Sequence, residues 1–574
     1  MAYDLVIKNG LVVDGSGFPR YRADVGIKDG KIVAKGKIDP NGAKVVDAEG
    51  RIVAPGFVDV HTHYDAQIFW DPLLTCSPWH GATTVVMGNC GFTLAPCRPE
   101  HRDYLSRMFA RVEGINLKAL ETGLEWEWQT FPEYLNRIKQ EKLGVNVGTM
   151  IGHCAVRRYI MGEAANEREA DDDEIQQMKS VVREGIAAGA FGFTTTLSPT
   201  HYGMDGRPVP SRFASHKEVL ELASALAEFH IGSIEIITET AVMGEDKFSE
   251  ADQRLLTNLS LVTGRPINWN ELSHTWDRPT AWRQQIEYME RASKEGAQVY
   301  GIARCQRLDA IFNLTESTMS FERWPRWHEV LSQPREKTLA LLRDPEVRAA
   351  MKAEANELDS KNQVWRQLTN VNLVKSKTGK FAEFEGANLK EIGERTGKDL
   401  VDVLLDFSVE ENLETEFAFI GVRNGDMNAV AEILTSPFAL PGISDAGAHT
   451  NRLSGSYYST FLLSHWVRDE GLLTLEDAIK RLTFMPASMY GMWDKGLIRE
   501  GMAADIVVFD LDKLDWLPAE RFNDLPGGDA RLVNRAEGFD YLVVGGEVVY
   551  DHGEHTGALP GRVITSDEYR YNGG

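Results

Sequence analysis

His61 and His63, in the run FVDVHTH, are two imidazoles two residues apart. On an extended strand alternate residues share a face, so Phe57, Asp59, His61 and His63 point one way and Val58, Val60 and Thr62 the other. Both rings then come within reach of one metal ion, at ~2.0–2.1 Å per nitrogen. Cys90, in MGNCGF, ends a second strand-like run and offers a soft thiolate; the plainer alternative for a lone cysteine is a buried structural thiol. Asp445, in PGISDAGAH, ends another run, with His449 just beyond. A carboxylate beside a metal can take a proton from an attacking water and return it to a leaving nitrogen. Taken singly, HxH, an isolated Cys and a Ser-Asp turn are weak signals. Together, each at the end of a strand-like run, they point to metal-assisted hydrolysis.

These positions need a frame that gathers strand ends at one place. Eight strand-like runs alternate with helical patterns: FVDVHTH, GATTVVMGN, GVNVGTMIGH, GAFGFTTTL, IGSIEIIT, RPINWNEL, GAQVYGIAR and ALPGISDAG. Between the third and fourth, Asp171 to Ala188 opens on four acids suited to a helix N-terminus, places Ile175, Met178, Val182 and Ile186 on one face, and stops at Gly189. Lys217 to Phe229 repeats the pattern. The alternation predicts an α/β fold, a (β/α)8 TIM-type barrel over residues 56–487. Two long loops, about 91–143 after the second strand and 305–439 after the seventh, are expected to wall the site. Trp324, Trp327 and Trp365 in the second of these are read as packing the insertion onto the barrel.

Residues 1–55 are short period-two apolar runs separated by NG, DG and EG turns, and the same texture returns within 488–574 in ADIVVFD, YLVVGGEVVYDHG and GRVITS. The two ends are predicted to form one small β-sandwich, with the barrel inserted between them. The 574 residues carry 62 Lys and Arg against 85 Asp and Glu, a net charge of −23, which excludes an electrostatic nucleic-acid binder as the default. No stretch approaches the ~20 apolar residues needed to span a bilayer, so no membrane partner is expected. MAYDLVIKNG has no signal-peptide pattern, and five scattered cysteines argue for a reducing, cytoplasmic setting. Homo-oligomers are common among soluble enzymes, though no feature locates an interface.

PGFVDVHTHYD, GATTVVMGNCGF, GHCAVRRYIMG, GAFGFTTTL, SDAGAH and GLIREGMAADIVVFD occur in the chain and together resemble the amidohydrolase superfamily, specifically its D-aminoacylase (N-acyl-D-amino-acid deacylase) group, from about residue 3 to residue 563. The resemblance implies a (β/α)8 barrel with a β-sandwich made from both chain ends, and zinc-assisted hydrolysis of an amide. It implies that His61 and His63 are the metal-binding pair, Cys90 the metal-ligating cysteine of this group, and Asp445 the catalytic aspartate. It also implies ligand histidines at the ends of the fifth and sixth strands, where this chain reads IGSIEIITET and RPINWNELSH. The fifth has no histidine, and the sixth offers Glu271 or, three residues on, His274. One zinc ion on His61, His63, Cys90 and Asp445 is therefore favoured, with two ions held through replacement ligands as the alternative.

Four more residues are candidates for substrate contact. Arg452, in AHTNRLSG, could hold a substrate carboxylate by a bidentate contact, or be a surface arginine paired to an acid; Arg423 is its poorer rival. His153, at the third strand end, is a ligand, a donor behind a ligand or a satisfied core residue. The resemblance places His201 and Tyr202, in SPTHYG, near substrate; otherwise they are surface-loop residues. The resulting expectation is a zinc amidohydrolase acting on a small-molecule amide, foremost an N-acyl amino acid, D-configured by the resemblance. Its alternatives are a hydrolase of cyclic amides, carbamates or xenobiotic amides on the same site, and a degenerate binding or scaffold protein.

Overall fold

A computed structural model of the chain describes residues 2–241, 246–276, 278–315, 321, 324–360, 368–450 and 455–570. It divides into two compact units, one of Met1–Leu272, Arg283–Gln306 and Ala431–Gly574, the other of Ser273–Trp282 and Arg307–Val430.

In the first unit, the chain ends meet in a nine-stranded sheet. The strand Ile52–Pro55 pairs antiparallel with Ile506–Phe509, and Val25, Ile27, Val53, Ile506, Val508 and Val543 share one buried cluster. Asp29-Gly30 and Gly545-Gly546 close two-residue hairpins with both residues at positive φ (49° and 71°, 54° and 84°). Such turns match the twist of paired strands, which is why DG and GG stand there.

The intervening chain supplies parallel strands. Phe57–Thr62, Ala82–Met87 and Asn146–Thr149 form a sheet of three. Ile151–Gly152, Gly192–Thr196, Ser233–Ile237, Ile267–Leu272, Val299–Ala303 and Ala439–Pro441 form a sheet of six, paired in chain order. The third strand is therefore split at Met150, whose N–H bonds Met87 O at 3.0 Å. An isolated parallel bridge joins Thr62 to Ala446, just past the last strand. Alternation along the first strand is as expected: Val58 and Val60 pack with Val86, Ile302, Leu440 and the helical Ala487 and Tyr490, leaving the His61 face for the opposite side.

The helix Asp172–Ala188 follows from its sequence. Asp171 accepts the Glu174 N–H and Glu174 accepts the Asp171 N–H, both at 2.9 Å, Ile175, Met178, Val182 and Ile186 are buried, and Gly189 ends it. The second helical pattern is shorter than expected, His216–Ala223, and tightens into a 3-10 turn over Ser224–Glu228. After the second strand come the helices Arg102–Glu113, Leu117–Gly123 and Phe131–Ile138. Trp128 there is core, stacked on Phe69 at 5.3 Å and bonded through Nε1 to Leu94 O.

The second unit has its own core around an antiparallel sheet of Leu308–Phe312, Glu416–Arg423 and Val371–Lys375. Trp324 and Trp327 belong to that core with Phe312, Phe321, Phe417 and Phe419. This corrects the expectation that they pack the insertion onto the barrel: a segment this long buries enough aromatic surface to sustain a core of its own. Trp365 lies outside the described residues. Glu411 is the unit's charged anchor, accepting five hydrogen bonds from Ser376, Lys377, Thr378 (two) and Thr415. Burial pushes its carboxyl up, but the donors outweigh it and bring the pKa to about 2. Its folded value lies below the ordinary ~4.3, so the stabilisation is full above that pH and is lost as pH falls toward the folded value. Glu411→Gln should flatten the loss of stability between neutral and strongly acid pH, as measured by denaturant titrations at several pH values.

Candidate metal centre

The ends of three parallel strands deliver the donors. His61 and His63 leave the first strand, and Cys90 sits in the turn after the second. Their ligating atoms lie within 4.8 Å of one another, and all three side chains are buried. His61 Nε2 is 3.4 Å from Cys90 Sγ and 3.4 Å from Asp445 Oδ1, and His63 Nε2 is 4.0 Å from that same oxygen.

Local backbone chemistry explains the convergence. Gly88, Cys90 and Gly91 all have positive φ, which coils the turn tightly. A Cβ on Gly91 would lie 3.1 Å from Thr195 Cα, so only glycine allows the turn to press against the fourth strand. There the Gly91 N–H donates to Thr194 Oγ1 and the Cys90 N–H to Glu235 Oε2 at 2.7 Å. Asp445 is stitched to the first strand from both sides: Ser444 Oγ donates to His61 O, and the His63 N–H donates to Ala446 O.

Arg304, one residue past the seventh strand, donates to Asp445 Oδ2 at 2.7 Å and lies 3.6 Å from Glu271 Oε1. Burial opposes ionisation of Asp445, yet Arg304, followed by His61, holds its carboxyl well below the usual carboxylate range. Burial also pushes the His61 and His63 pKa values down, His63 further because of His61, so both rings are neutral and can lend an electron pair. Burial raises Cys90 well above an ordinary thiol, with Glu235 and Glu113 adding to it. A cation among these groups reverses that balance and favours the thiolate. Two imidazoles, one sulfur and one carboxylate oxygen fit a borderline-soft divalent ion such as zinc.

Four participants escaped the sequence reading. Glu235 lies on the fifth strand, fully buried, its carboxyl raised by burial to about 8. Asn270, on the sixth, donates from Nδ2 to Cys90 Sγ at 3.7 Å. Glu113 ends the helix Arg102–Glu113 with Oε1 3.4 Å from His63 Nδ1. Arg304 is the fourth. Alternation along SIEII could have revealed Glu235, since it shares a face with Ser233 and Ile237 rather than with the flanking isoleucines. Of the sixth-strand alternatives, Glu271 pairs with Arg304, and His274 belongs to the second unit, its ring 5.0 Å from Trp276.

The substrate-contact candidates fare unevenly. His153 fits the last of its three readings, a satisfied core residue: it is fully buried, and both ring nitrogens are engaged, Nδ1 with Thr195 Oγ1 at 2.7 Å and Nε2 with Glu218 at 2.8 Å. Because it opens the helix His153–Met161, its ring turns to the buried Arg157–Glu218 pair instead of to a ligand. His201 is half-buried, bonded through Nδ1 to Thr196 Oγ1, its pKa pushed by burial and by His449 to about 3. Tyr202 bridges Pro208 through its backbone, and Arg212 covers its ring at 4.7 Å. Arg452 lies outside the described residues, and Arg423 belongs to the second unit.

Residues 44–550 match the amidohydrolase family, and residues 1–55 match the urease alpha-subunit N-terminal domain. The chain is 26% identical to D-aminoacylase of Alcaligenes xylosoxydans xylosoxydans, over 98% of this chain and 97% of that one. It is 28% identical to N-acyl-D-glutamate deacylase of the same organism over the same shares. Among solved structures, N-acyl-D-glutamate deacylase from Bordetella bronchiseptica, complexed with zinc and a phosphonate inhibitor, aligns with a TM-score of 0.67 at 24% identity, covering 98% of this chain and 100% of that one. That likeness is one of fold.

Proposed function

The chain belongs to the amidohydrolase family, and from that premise we propose that it is a zinc-dependent deacylase of N-acyl amino acids, with D-configured substrates first among them. The observation that carries the reading is the meeting of His61, His63, Cys90 and Asp445. The near full-length likeness to two deacylases supports the substrate class. The same reading closes the parallel strands into one (β/α)8 barrel over residues 56–487, with 1–55 and 488–574 forming the β-sandwich; the Thr62–Ala446 bridge supports the closure.

His61, His63, Cys90 and Asp445 would hold the ion, which when bound polarises an amide carbonyl and makes water a better nucleophile. One ion is favoured because the fifth strand offers no histidine, and Glu235 Oε2 and Asn270 Nδ2 are bonded to the main chain and sulfur of Cys90. Asp445 performs the proton transfers. Held ionised by Arg304, its carboxylate is ready to accept the proton of the attacking water at every working pH. Once protonated it can pass that proton to the departing amine nitrogen. Five free, buried cysteines support a reducing compartment.

Elemental mass spectrometry of protein purified without chelator should find about one zinc per chain, lost in His61→Ala. A panel of N-acyl D- and L-amino acids beside cyclic ureides should then show turnover of the N-acyl D-amino acids. No metal even after zinc is supplied would overturn the reading, and turnover of the ureides alone would replace its substrate class.

A further inference from the structure

Each ligand imidazole has a second nitrogen. His61 turns Nε2 toward Cys90 Sγ and Asp445 Oδ1, and turns Nδ1 toward Glu235 Oε1, 4.0 Å away. His63 repeats the arrangement, with Nε2 toward Asp445 Oδ1 and Nδ1 3.4 Å from Glu113 Oε1. Glu113 is 2% exposed and Glu235 not at all. Among the described residues, His61 Nδ1, His63 Nδ1 and Glu235 Oε1 are buried polar atoms without a hydrogen-bond partner.

The chemistry of a neutral imidazole gives these back faces a task. If Nε2 is to offer its lone pair, the ring proton must sit on Nδ1. A buried N–H left unsatisfied is costly, and the competing tautomer would put the proton where the metal belongs. A carboxyl oxygen opposite Nδ1 removes both problems, because it offers that N–H an acceptor.

The Glu235 carboxyl is anchored from the side away from its histidine, and the main chain of Glu113 is tied to the site. Glu235 Oε2 takes the Cys90 N–H at 2.7 Å, so one side chain joins the backbone of one ligand to the ring of another. The Glu113 carbonyl accepts the N–H of His449, tying the helix end to the segment that carries Asp445.

Resting on the metal reading above, we propose that Glu113 and Glu235 are positioning residues, each accepting the Nδ1 proton of one ligand histidine and so fixing the tautomer and ring plane that present His63 and His61 to the ion. Neither is assigned contact with substrate.

The test is zinc affinity of the full-length protein, read by competition with a chromophoric chelator, beside the unfolding midpoint of each metal-free variant. Glu113→Ala and Glu235→Ala should each weaken zinc binding about 10–100-fold. Glu113→Gln and Glu235→Gln, which keep an acceptor oxygen, should recover most of that loss. A residue that merely supports the fold would lower the metal-free midpoint and leave zinc affinity unchanged. Glu→Leu at either position, which fills the space without accepting, replaces an alanine variant that does not fold.

Alanine or leucine variants that bind zinc as tightly as the wild type, while His63→Ala loses it, would overturn this proposal and leave the metal reading intact. Glutamine variants as weak as the alanine ones would overturn it too. A wild-type protein that takes up no zinc would instead defeat the metal reading, and this proposal with it.

Discussion

Asp445→Asn should fold, retain metal when zinc is supplied in excess, and lose about 10²–10⁴ in turnover. The substitution preserves shape, and an asparagine oxygen can still accept the hydrogen bond that Arg304 donates to Asp445 at 2.7 Å. What it cannot do is take a proton from water and give it to a leaving nitrogen. The expected signature is a fall in kcat at zinc occupancy equal to the wild type. Retention of most of the activity would remove Asp445 from the proton transfers.

Arg304→Met should be the costliest single change for stability at the site, at about 3–5 kcal/mol. The guanidinium is 3% exposed, and its removal leaves Asp445 and Glu271 facing each other without their shared cation. The sign of the pH effect can be worked out. With Arg304 in place, the Asp445 carboxyl titrates below its unfolded value, so its contribution is present above ~3.9 and disappears as pH falls. Without Arg304, burial opposes ionisation of the carboxyl with less to offset it, and that contribution is reduced. The deficit of the variant, measured on metal-free protein, should therefore be full toward neutrality and shrink as pH falls below ~3.9. In the active enzyme, the acid limb of kcat/KM should move to higher pH.

Much of this centre is legible in the sequence because its signals are local. Strand alternation is enough to put His61 and His63 on one face, and glycines flanking Cys90 mark a turn that only small residues permit. Glu235 was readable by the same alternation, but attention to missing histidines passes over a carboxylate in an isoleucine-rich strand. Glu113 carries no such signal. It closes an ordinary amphipathic helix, and only the packing of that helix brings its carboxylate behind His63. His153 stands at a strand end like the ligands, and only the structure separates its three readings: as the first residue of a helix it turns to Thr195 and Glu218. Trp324 and Trp327 pack as aromatic residues in a long insertion should, but periodicity along a chain does not say which core they pack into.

The pairing of Ile52–Pro55 with Ile506–Phe509 has a consequence for how the protein is made. The earlier strand waits for a partner that leaves the ribosome some 450 residues later, roughly 25–90 s at about 5–20 residues per second. Through that interval the apolar face around Val25, Ile27 and Val53 has no cover from Ile506, Val508 and Val543. The nascent chain therefore carries an unfinished sheet edge while its centre emerges, and a ribosome that stalls before residue 506 releases a product whose first fifty residues cannot complete their fold.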